Sequence, residues 1–319
     1  MNKSIDSFII DKVSEIRATV GGERVLLGLS GGVDSAVTAA LISRAIGSRL
    51  VCVYINHGLM RKDETKQVQE VFEGHFDLEL ISVDASDMFF TRLKGATDPE
   101  CKRKIIGAAF IDAFAKEAEK LGDIAYFAQG TIYPDIVESG TEAGTSLVKS
   151  HHNVGGLPDN IGFKGIIEPL RDLYKNEVRL VGEALGLPTS LTQRQPFPGP
   201  GLGVRVLGEL TREKVEIVRE SDAILREEID RTGLSRDIQQ YFAMLPNVQS
   251  VGIKNGGRTY EHVVALRAMT SSDFMSGDFA RIPYETLARI SERITAEVRG
   301  VNRVVYDITP KPPACVEWE

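Results

Sequence analysis

The first half of the chain alternates near-continuous apolar runs with stretches whose apolar residues recur at helical spacing. Such runs are typical of strands buried on both faces, whereas recurrence every three or four residues is typical of an amphipathic helix. The predicted strands are Arg24–Leu29, Leu50–Ile55, Phe76–Val83 and Ile124–Gln129. The predicted helices are Ser4–Thr19, Ala36–Ile46, Asp63–Phe72 and Asp98–Leu121. This alternation predicts a parallel α/β sheet, which binds ligands at the carboxyl ends of its strands near a topological switch point.

The pattern changes after a stretch dense in proline and glycine, Gln195–Gly203, which indicates a boundary or linker. A helix at Lys175–Leu185 precedes it. Beyond it the predicted elements are the helices Thr211–Thr232 and Tyr284–Val298, and the strands Gln239–Leu245, Ser250–Lys254, Thr259–Met269, Val304–Ile308 and Ala314–Trp318. Strands joined by turns and then separated by a helix favour an α+β domain. We therefore expect an α/β domain over residues 1–197 and a smaller α+β domain over residues 198–319.

Gly130–Lys164 has no sustained apolar period and carries a polar cluster that includes Lys149, His151 and His152. A segment of this kind inside a compact domain favours a mobile lid over a ligand site. Two alternatives remain open from the residues. The adjacent histidines could bind zinc, although no third ligand lies at a standard spacing, or the segment could be a disordered polar loop.

Composition limits the classes of function. The 319 residues are 42% hydrophobic and 26% charged, as in soluble globular proteins, and no apolar run approaches the length of a membrane span. A net charge of −7 argues against a nucleic-acid surface as the main function. Three scattered cysteines and the absence of a visible signal peptide favour a reduced, cytoplasmic compartment.

The strongest candidate chemistry lies where the first strand ends, in the sequence Ser-Gly-Gly-Val-Asp-Ser at residues 30–35. Two glycines allow close approach of the backbone, and the N–H groups and dipole at the following helix start favour an anion. Ser30 and Ser35 can donate to phosphate oxygens. Asp34 would repel phosphate unless a cation lies between them, which indicates Mg²⁺. The alternative is an ordinary capped helix after a strand.

These six residues resemble the pyrophosphate loop of the ATP pyrophosphatases, enzymes that cleave ATP between its α and β phosphates to adenylate a substrate oxygen. The resemblance implies their parallel-sheet fold, N-type ATP pyrophosphatase or adenine nucleotide alpha-hydrolase-like, with ATP as co-substrate and Asp34 as the Mg²⁺ ligand. The residues expected to bind ATP on this basis are Gly28, Ser30, Gly31, Gly32, Val33, Asp34, Ser35, Ala36, Ile55 and Gly130.

Further motifs are similar to those of GMP synthetases within that group. They are Asp98–Gly107, Gln129–Asp135, Ser150–Pro158, Pro196–Gly203 and the tail Lys311–Glu319. The resemblance implies a C–N bond-forming ligase that converts XMP, ATP and ammonia to GMP, AMP and pyrophosphate, and a second domain that mediates dimerisation. No membrane or nucleic-acid partner is expected.

The resemblance also implies residue roles. Lys149, with His151 or His152, would offset charge in the adenylation transition state, and Arg103, Lys311 and Glu317 would bind XMP. The residues alone favour a solvated helix face for Arg103 and its neighbour Lys102. For the tail, which contains the one tryptophan of the chain, they favour packing over a ligand contact.

The chain departs from the family pattern at Asn56, where an acid is usual and His57 follows, and at Cys315, where threonine is commoner. It also shows no amidotransferase nucleophile. The sequence therefore favours the synthetase subunit of a two-subunit, archaeal-type enzyme that takes ammonia from a separate glutamine amidotransferase subunit. The alternatives are another ATP pyrophosphatase, NAD synthetase-like or tRNA-modifying, and a non-catalytic ATP-binding regulatory subunit.

Overall fold

The computed structural model describes residues 4–138, 163–254, 256–271 and 276–319. The chain divides into two compact units. Unit 1 comprises Met1–His57, Asp63–Ala85 and Gly107–Arg194, and unit 2 comprises Gly58–Lys62, Ser86–Ile106 and Gln195–Glu319. The sequence-based boundary at residue 197 lies close to the last of these divisions, but two short segments from the first half of the chain also belong to unit 2.

Unit 1 contains a five-stranded parallel sheet in the order β3-β2-β1-β4-β5. Its strands are β1 Arg24–Leu29, β2 Leu50–Asn56, β3 Glu79–Asp84, β4 Ile124–Ala128 and β5 Gly165–Ile167. Its helices are α1 Ile5–Val20, α2 Val33–Ile46, α3 Glu64–His75, the later part of α5 Pro99–Ala118, α6 Tyr133–Glu138, α7 Lys175–Ala184 and α8 Thr189–Thr192. The predicted parallel α/β fold is confirmed, and its switch point lies between β1 and β4.

The central strands are apolar because the sheet is covered on both faces. Leu26 of β1 lies in register with Val51 of β2 and with Phe127 of β4, and all three side chains are buried. Gly28 leaves room for Phe114 of α5, since a Cβ at Gly28 would stand 3.3 Å from the phenyl ring. The close approach of this helix to the sheet therefore depends on a glycine in the middle of β1.

Unit 2 is an α+β structure built on one long strand, β8 Gly257–Thr270. Strand β10, Val301–Asp307, pairs with it in parallel, and β6 Gln240–Met244, β7 Gln249–Lys254 and β9 Asp278–Phe279 pair with it antiparallel. The helices are α4 Ser86–Leu93, the first turns of α5, α9 Arg212–Arg231 and α10 Tyr284–Glu297. The sequence did not predict α4, β9 or the long extension of β8 across four partners.

Three predictions of local structure are wrong. Ala314–Trp318 is not a strand, and the only ladder contact there is an isolated bridge between Gly277 and Lys311. Tyr133–Glu138, placed within the irregular segment, is helical. Lys102 does not lie on a solvated helix face, because its side chain is completely buried. Apolar periodicity could not detect the tail and Lys102, since both depend on polar contacts made elsewhere in the fold.

Arg267 joins the sheet of unit 2 to the tail. It lies on β8 directly opposite Asp307 of β10, and its buried guanidinium donates to Asp307 Oδ2 at 2.5 Å. It also donates to the carbonyl oxygens of Thr309 at 3.1 Å and Cys315 at 2.7 Å. A buried guanidinium requires such partners, because a charge without them is costly in the interior. The contact with Cys315 uses the backbone, so it does not require the threonine hydroxyl that is commoner there.

The stability of unit 2 should fall in acid through Asp307. Burial acts to raise the pKa of this carboxyl, but hydrogen bonds from Thr309 and Trp318 and the charge of Arg267 together hold the pKa below its ordinary value. A lowered folded-state pKa stabilises the fold above the unfolded value and loses that contribution as pH falls through the folded pKa. Thermal unfolding between pH 7 and about 2 should therefore show a loss of stability below about pH 4 that Asp307→Asn reduces. The almost fully exposed Asp87 supplies the control, Asp87→Asn; an equal effect of both variants would contradict the assignment.

Candidate active site

The loop that follows β1 forms a small hydroxyl-bonded turn. Gly31 adopts φ 78°, a conformation that favours glycine. Ser30 Oγ lies 3.0 Å from Ser35 Oγ and accepts from the Gly32 N–H at 3.2 Å, while the Ser30 N–H donates to Ser35 Oγ at 3.2 Å. The two hydroxyls thus connect both ends of the loop. These hydrogen bonds are made within the loop itself, and an anion site requires donors that are oriented in this way.

The first turn of α2 presents backbone N–H groups next to this loop. Its N-cap is Gly32, and no side chain caps the helix. Gly130, which follows β4, packs directly against the same turn, because a Cβ there would stand 2.9 Å from the Ser35 nitrogen and 3.0 Å from the Asp34 carbonyl carbon. The uncapped helix start therefore lies at the β1–β4 switch point, where open α/β sheets bind phosphate groups. The alternative of a side-chain-capped helix does not describe α2.

Asp34 is paired with Lys175, a residue that the sequence analysis missed. Lys175 Nζ donates to Asp34 Oδ2 at 2.6 Å. Lys175 is the first residue of α7, where the helix dipole disfavours a cation, so the carboxylate offsets an unfavourable position. Asp34 Oδ1 is buried and has no hydrogen-bond donor among the described residues. That oxygen can serve as a metal ligand while Lys175 holds the other.

The donor set fits magnesium bound together with a phosphate better than a metal held by protein alone. Within the described ranges, no group of three or more His, Cys, Asp or Glu side chains could hold a metal ion. Mg²⁺ is commonly bound by one or two carboxylates, substrate phosphates and water. Asp34 with one unsatisfied oxygen, beside an anion cradle, is consistent with that mode.

Arg194 is a second residue that the sequence analysis missed, and it contacts the loop through hydrogen bonding. It donates to the Gly31 carbonyl oxygen at 2.6 Å and forms an ion pair with the buried Glu64 at the start of α3. The Arg194 carbonyl oxygen in turn accepts from Arg179 of α7 at 3.3 Å. Gly31 is the loop residue with a positive φ, so its backbone is the least restricted by its own side chain. The hydrogen bond from Arg194 holds the carbonyl group of this residue in place. Nothing in the local sequence of Arg194 indicates a loop more than 160 positions away.

The other predicted ATP residues are placed as follows. Val33 and Ala36 are buried in α2, and Ile55 is buried near the end of β2. Asn56 follows Ile55, and its carbonyl oxygen accepts from the Ala85 N–H. Lys149, His151 and His152 lie outside the described residues, as does the greater part of the predicted lid, so their catalytic roles stay predictions.

In unit 2, two of the three predicted XMP residues lie on a tail that polar contacts hold. Glu317 accepts from Arg205 at 2.9 Å and 3.2 Å through its two carboxylate oxygens, and from Gln240 at 3.3 Å. Trp318 donates to Asp307 at 2.9 Å, and its side chain is 42% exposed. Packing accounts for Val316, which contacts the core at Phe242, Met244 and Ala265, but not for the tryptophan.

Arg205 lies at the centre of a buried charged cluster. Its guanidinium stacks 4.0 Å above the ring centroid of Phe242, and Phe197 lies between Arg205 and Arg61 at 5.3 Å and 4.4 Å. Asp222 of α9 is within 3.7 Å of Arg205 and 3.6 Å of Arg61. Two arginines share one ring and one carboxylate, and Glu317 supplies the second negative charge, so the positive and negative charges of the cluster balance.

The remaining candidates are more exposed. Arg103 of α5 forms a long ion pair of 3.7 Å with Glu100 and retains one third of its side-chain exposure. Lys311 exchanges two backbone hydrogen bonds with Gly277, at 2.8 Å and 2.9 Å, and the peptide bonds that follow it, to Pro312 and Pro313, are cis. The backbone of Lys311 is therefore fixed by the sheet of unit 2.

The fold and the loop define a class. The family model for NAD synthase matches residues 1–105, which contain the first two strands and the loop. Unit 1 is accordingly a parallel α/β domain whose first half is similar to NAD synthases. A solved NMN synthetase from Francisella tularensis is a distant structural neighbour, with a TM-score of 0.46 and 14% identity over 67% of this chain and 85% of that one.

Comparison of the whole chain gives similarity to a narrower group of proteins. The family model described as GMP synthase C terminal domain matches residues 227–318. GMP synthase (glutamine-hydrolyzing) of Clostridium acetobutylicum is 60% identical over 99% of this chain and 62% of its own length, and that of Clostridium tetani is 58% identical with the same coverage. The chain is GMP synthase-like, and it spans about three fifths of the length of these relatives. None of the helices described for it is long and apolar enough to cross a membrane.

Gly130→Ala should weaken ATP binding without unfolding unit 1. The added methyl group meets the backbone of α2, which cannot move aside as a flexible side chain would, so the helix start and the loop must shift. We expect the dissociation constant for MgATP, measured by calorimetry, to rise by about tenfold or more. Gly22→Ala is the matched control, because nothing lies within 4 Å of a Cβ there. Wild-type affinity in Gly130→Ala would contradict the position assigned to the phosphates.

Proposed function

We propose that this chain catalyses the synthetase reaction of GMP formation, in which XMP is adenylated by ATP and then aminated by ammonia to give GMP, AMP and pyrophosphate. The observation that carries the proposal is the preformed anion loop at the switch point of unit 1, in a chain 60% identical to a GMP synthase. The purine 2-oxygen is a poor leaving group, and attachment of AMP divides one difficult step into two easier ones. No protein nucleophile is needed, so the chain contributes positioning and charge neutralisation.

Unit 1 would hold ATP through its loop. The N–H groups at the start of α2 and the hydroxyls of Ser30 and Ser35 would face the β and γ phosphates, which leave as pyrophosphate. Arg194 keeps the Gly31 peptide in place, and Gly130 keeps the β4 side of the cradle open. This arrangement stabilises charge on the leaving group, where most of it develops.

Asp34 would hold Mg²⁺ through its unsatisfied Oδ1 together with phosphate oxygens. When bound, the ion would neutralise phosphate charge in the way common to phosphoryl and nucleotidyl transfer. Lys175, held at Asp34 Oδ2, would add a second positive charge at the same edge of the loop. Lys149, with His151 or His152, would complete the charge balance from the lid.

Unit 2 would bind XMP through Arg103, Lys311 and Glu317. Lys311 suits a 5′-phosphate as a point charge, and Glu317 can accept from the purine or ribose. Because Arg205 and Gln240 already donate to Glu317, its carboxylate is oriented before a substrate arrives. We further propose that unit 2 mediates homodimerisation and that the protein acts in the cytoplasm.

Ammonia would come from glutamine hydrolysed by a separate amidotransferase subunit, as in two-subunit, archaeal-type enzymes. The relatives are named as glutamine-hydrolyzing enzymes, which supports glutamine as their nitrogen source. This chain alone should then use ammonium but not glutamine, and addition of the amidotransferase subunit should confer glutamine use. Glutamine-dependent GMP formation by the purified chain alone would contradict the subunit assignment.

The decisive assay follows AMP, pyrophosphate and nucleotide products from ATP, Mg²⁺ and ammonium, with and without XMP. AMP release that requires XMP and yields GMP supports the proposal. AMP release that requires nicotinic acid adenine dinucleotide or tRNA instead would favour the other ATP pyrophosphatase reactions. Nucleotide binding without turnover of any of these acceptors would favour a regulatory subunit.

Asp34→Asn should reduce XMP-dependent AMP release by about 100-fold, because the amide keeps the shape of the side chain but loses the charge that holds the metal. Rates are to be measured across a Mg²⁺ titration, since a weakened metal site shifts the midpoint upward. Asp6→Asn, on the exposed face of α1, is the control. An unchanged rate and an unchanged Mg²⁺ midpoint in Asp34→Asn would remove Asp34 from the proposed site.

A further inference from the structure

The last residue of the tail, Glu319, is seated in unit 2 by a lysine that solvent does not reach. Lys102 of α5 forms an ion pair with the Glu319 carboxylate and donates to the carbonyl oxygens of Val206 at 2.8 Å and Gly208 at 3.1 Å. The Gly208 N–H donates to Glu319 Oε1 at 3.1 Å. The side chain of Lys102 is 0% exposed and that of Glu319 is 6% exposed. We call this arrangement the Lys102–Glu319 latch.

A latch of this kind has a physical cost that ordinary tail packing does not require. Burial lowers the pKa of Lys102, and the hydrogen bond and charge of Glu319 act in the opposite direction. Lysine is rarely buried completely unless it is paired, and a buried ion pair is often no more stabilising than an apolar pair of similar volume. A gain in stability is thus a weak explanation for a buried lysine at this position. A better explanation is that the ion pair holds the two segments it joins in one geometry.

The position of the latch suggests what geometry it fixes. Lys102 directly precedes Arg103 on α5, and Glu319 follows Glu317 by two residues on the tail. The three residues proposed to bind XMP therefore lie on two segments, α5 and the tail, and the latch joins these segments within unit 2.

We propose that Lys102 and Glu319 are positioning residues for XMP: the latch holds α5 and the tail in the register at which Arg103, Lys311 and Glu317 meet one ligand. This rests on the proposed function for the identity of the ligand. Neither latch residue contacts the substrate, because both side chains are enclosed. Loss of the latch should therefore weaken XMP binding while leaving the chemistry of bound XMP and the ATP loop unaffected.

The test uses Glu319→Gln in the full chain, because glutamine keeps the shape of the side chain and one acceptor oxygen but removes the charge and the second acceptor. The KM for XMP should rise by about tenfold with kcat at saturating XMP and the KM for ATP each within about twofold of wild type. A merely structural role would instead lower the fraction of active protein, which reduces kcat and leaves the KM for XMP unchanged. That second pattern, or an unchanged KM, would overturn the proposal.

Two further measurements keep the result interpretable. Glu297→Gln removes an exposed carboxylate that pairs with Arg293 elsewhere in unit 2, and it should leave both KM values unchanged. Amide hydrogen exchange of residues 311–318 requires no substrate, and it should be faster in Glu319→Gln than in wild type, with unit 1 unaffected. Unchanged exchange would show that the latch does not order the tail, even if the wild type proved inactive with XMP. The wild type could fail to turn over XMP while the tail of the variant still exchanges faster. That result would refute the proposed function and the role of the latch in XMP binding, but it would leave the ordering of the tail by the latch intact.

Discussion

Three cations without solvent exposure, Lys102, Arg205 and Arg267, determine where the tail of unit 2 lies. Each reaches a different point of it: Arg267 the carbonyl oxygen of Cys315, Arg205 the carboxylate of Glu317 and Lys102 the carboxylate of Glu319. A buried cation has few acceptable arrangements, because every donor needs an acceptor in the interior. The tail needs no regular secondary structure for this reason. Its path is set by cations that α5, the segment after Pro200 and β8 supply.

The same principle applies in unit 1 to the loop that follows β1. The parallel sheet brings the end of β1 and the end of β4 to the switch point by topology alone. What the sheet cannot do is orient individual peptides within the loop. Ser30 and Ser35 do so from inside the loop, and Arg194 does so from a distant part of the chain, so the anion site is rigid although its sequence is rich in glycine.

The fold of unit 1 could be predicted because β1, β2 and β4 are nearly continuous apolar runs and the helices between them carry apolar residues at helical spacing; the three-residue strand β5 is too short for such a pattern and was missed. The loop could be predicted because glycine, serine and aspartate occur together directly after a strand. Lys175, Arg194 and Arg205 could not, since each is an ordinary charged residue in its local sequence and acquires its role from a partner over one hundred positions away. Lys102 shows the limit most clearly: its local pattern is that of an exposed helix face, and only the tail explains its burial. Resemblance to GMP synthetases made Glu317 a candidate for XMP binding, but it did not indicate Arg205, the arginine that donates to it.

The pairing of Asp34 with Lys175 shows how the loop is balanced electrostatically. The helices α2 and α7 both begin at this place, and each brings the positive end of its dipole, to which Lys175 adds a full charge. Asp34 is the one carboxylate that the loop sequence contributes, and it satisfies the lysine with one oxygen while the other stays without a donor among the described residues. One carboxylate thus offsets a fixed lysine and keeps a second oxygen whose chemistry fits a metal ligand. Without Asp34, two positive helix ends and a lysine would lie together with no negative charge between them. Asp34 is therefore the residue that allows these positive charges to be assembled.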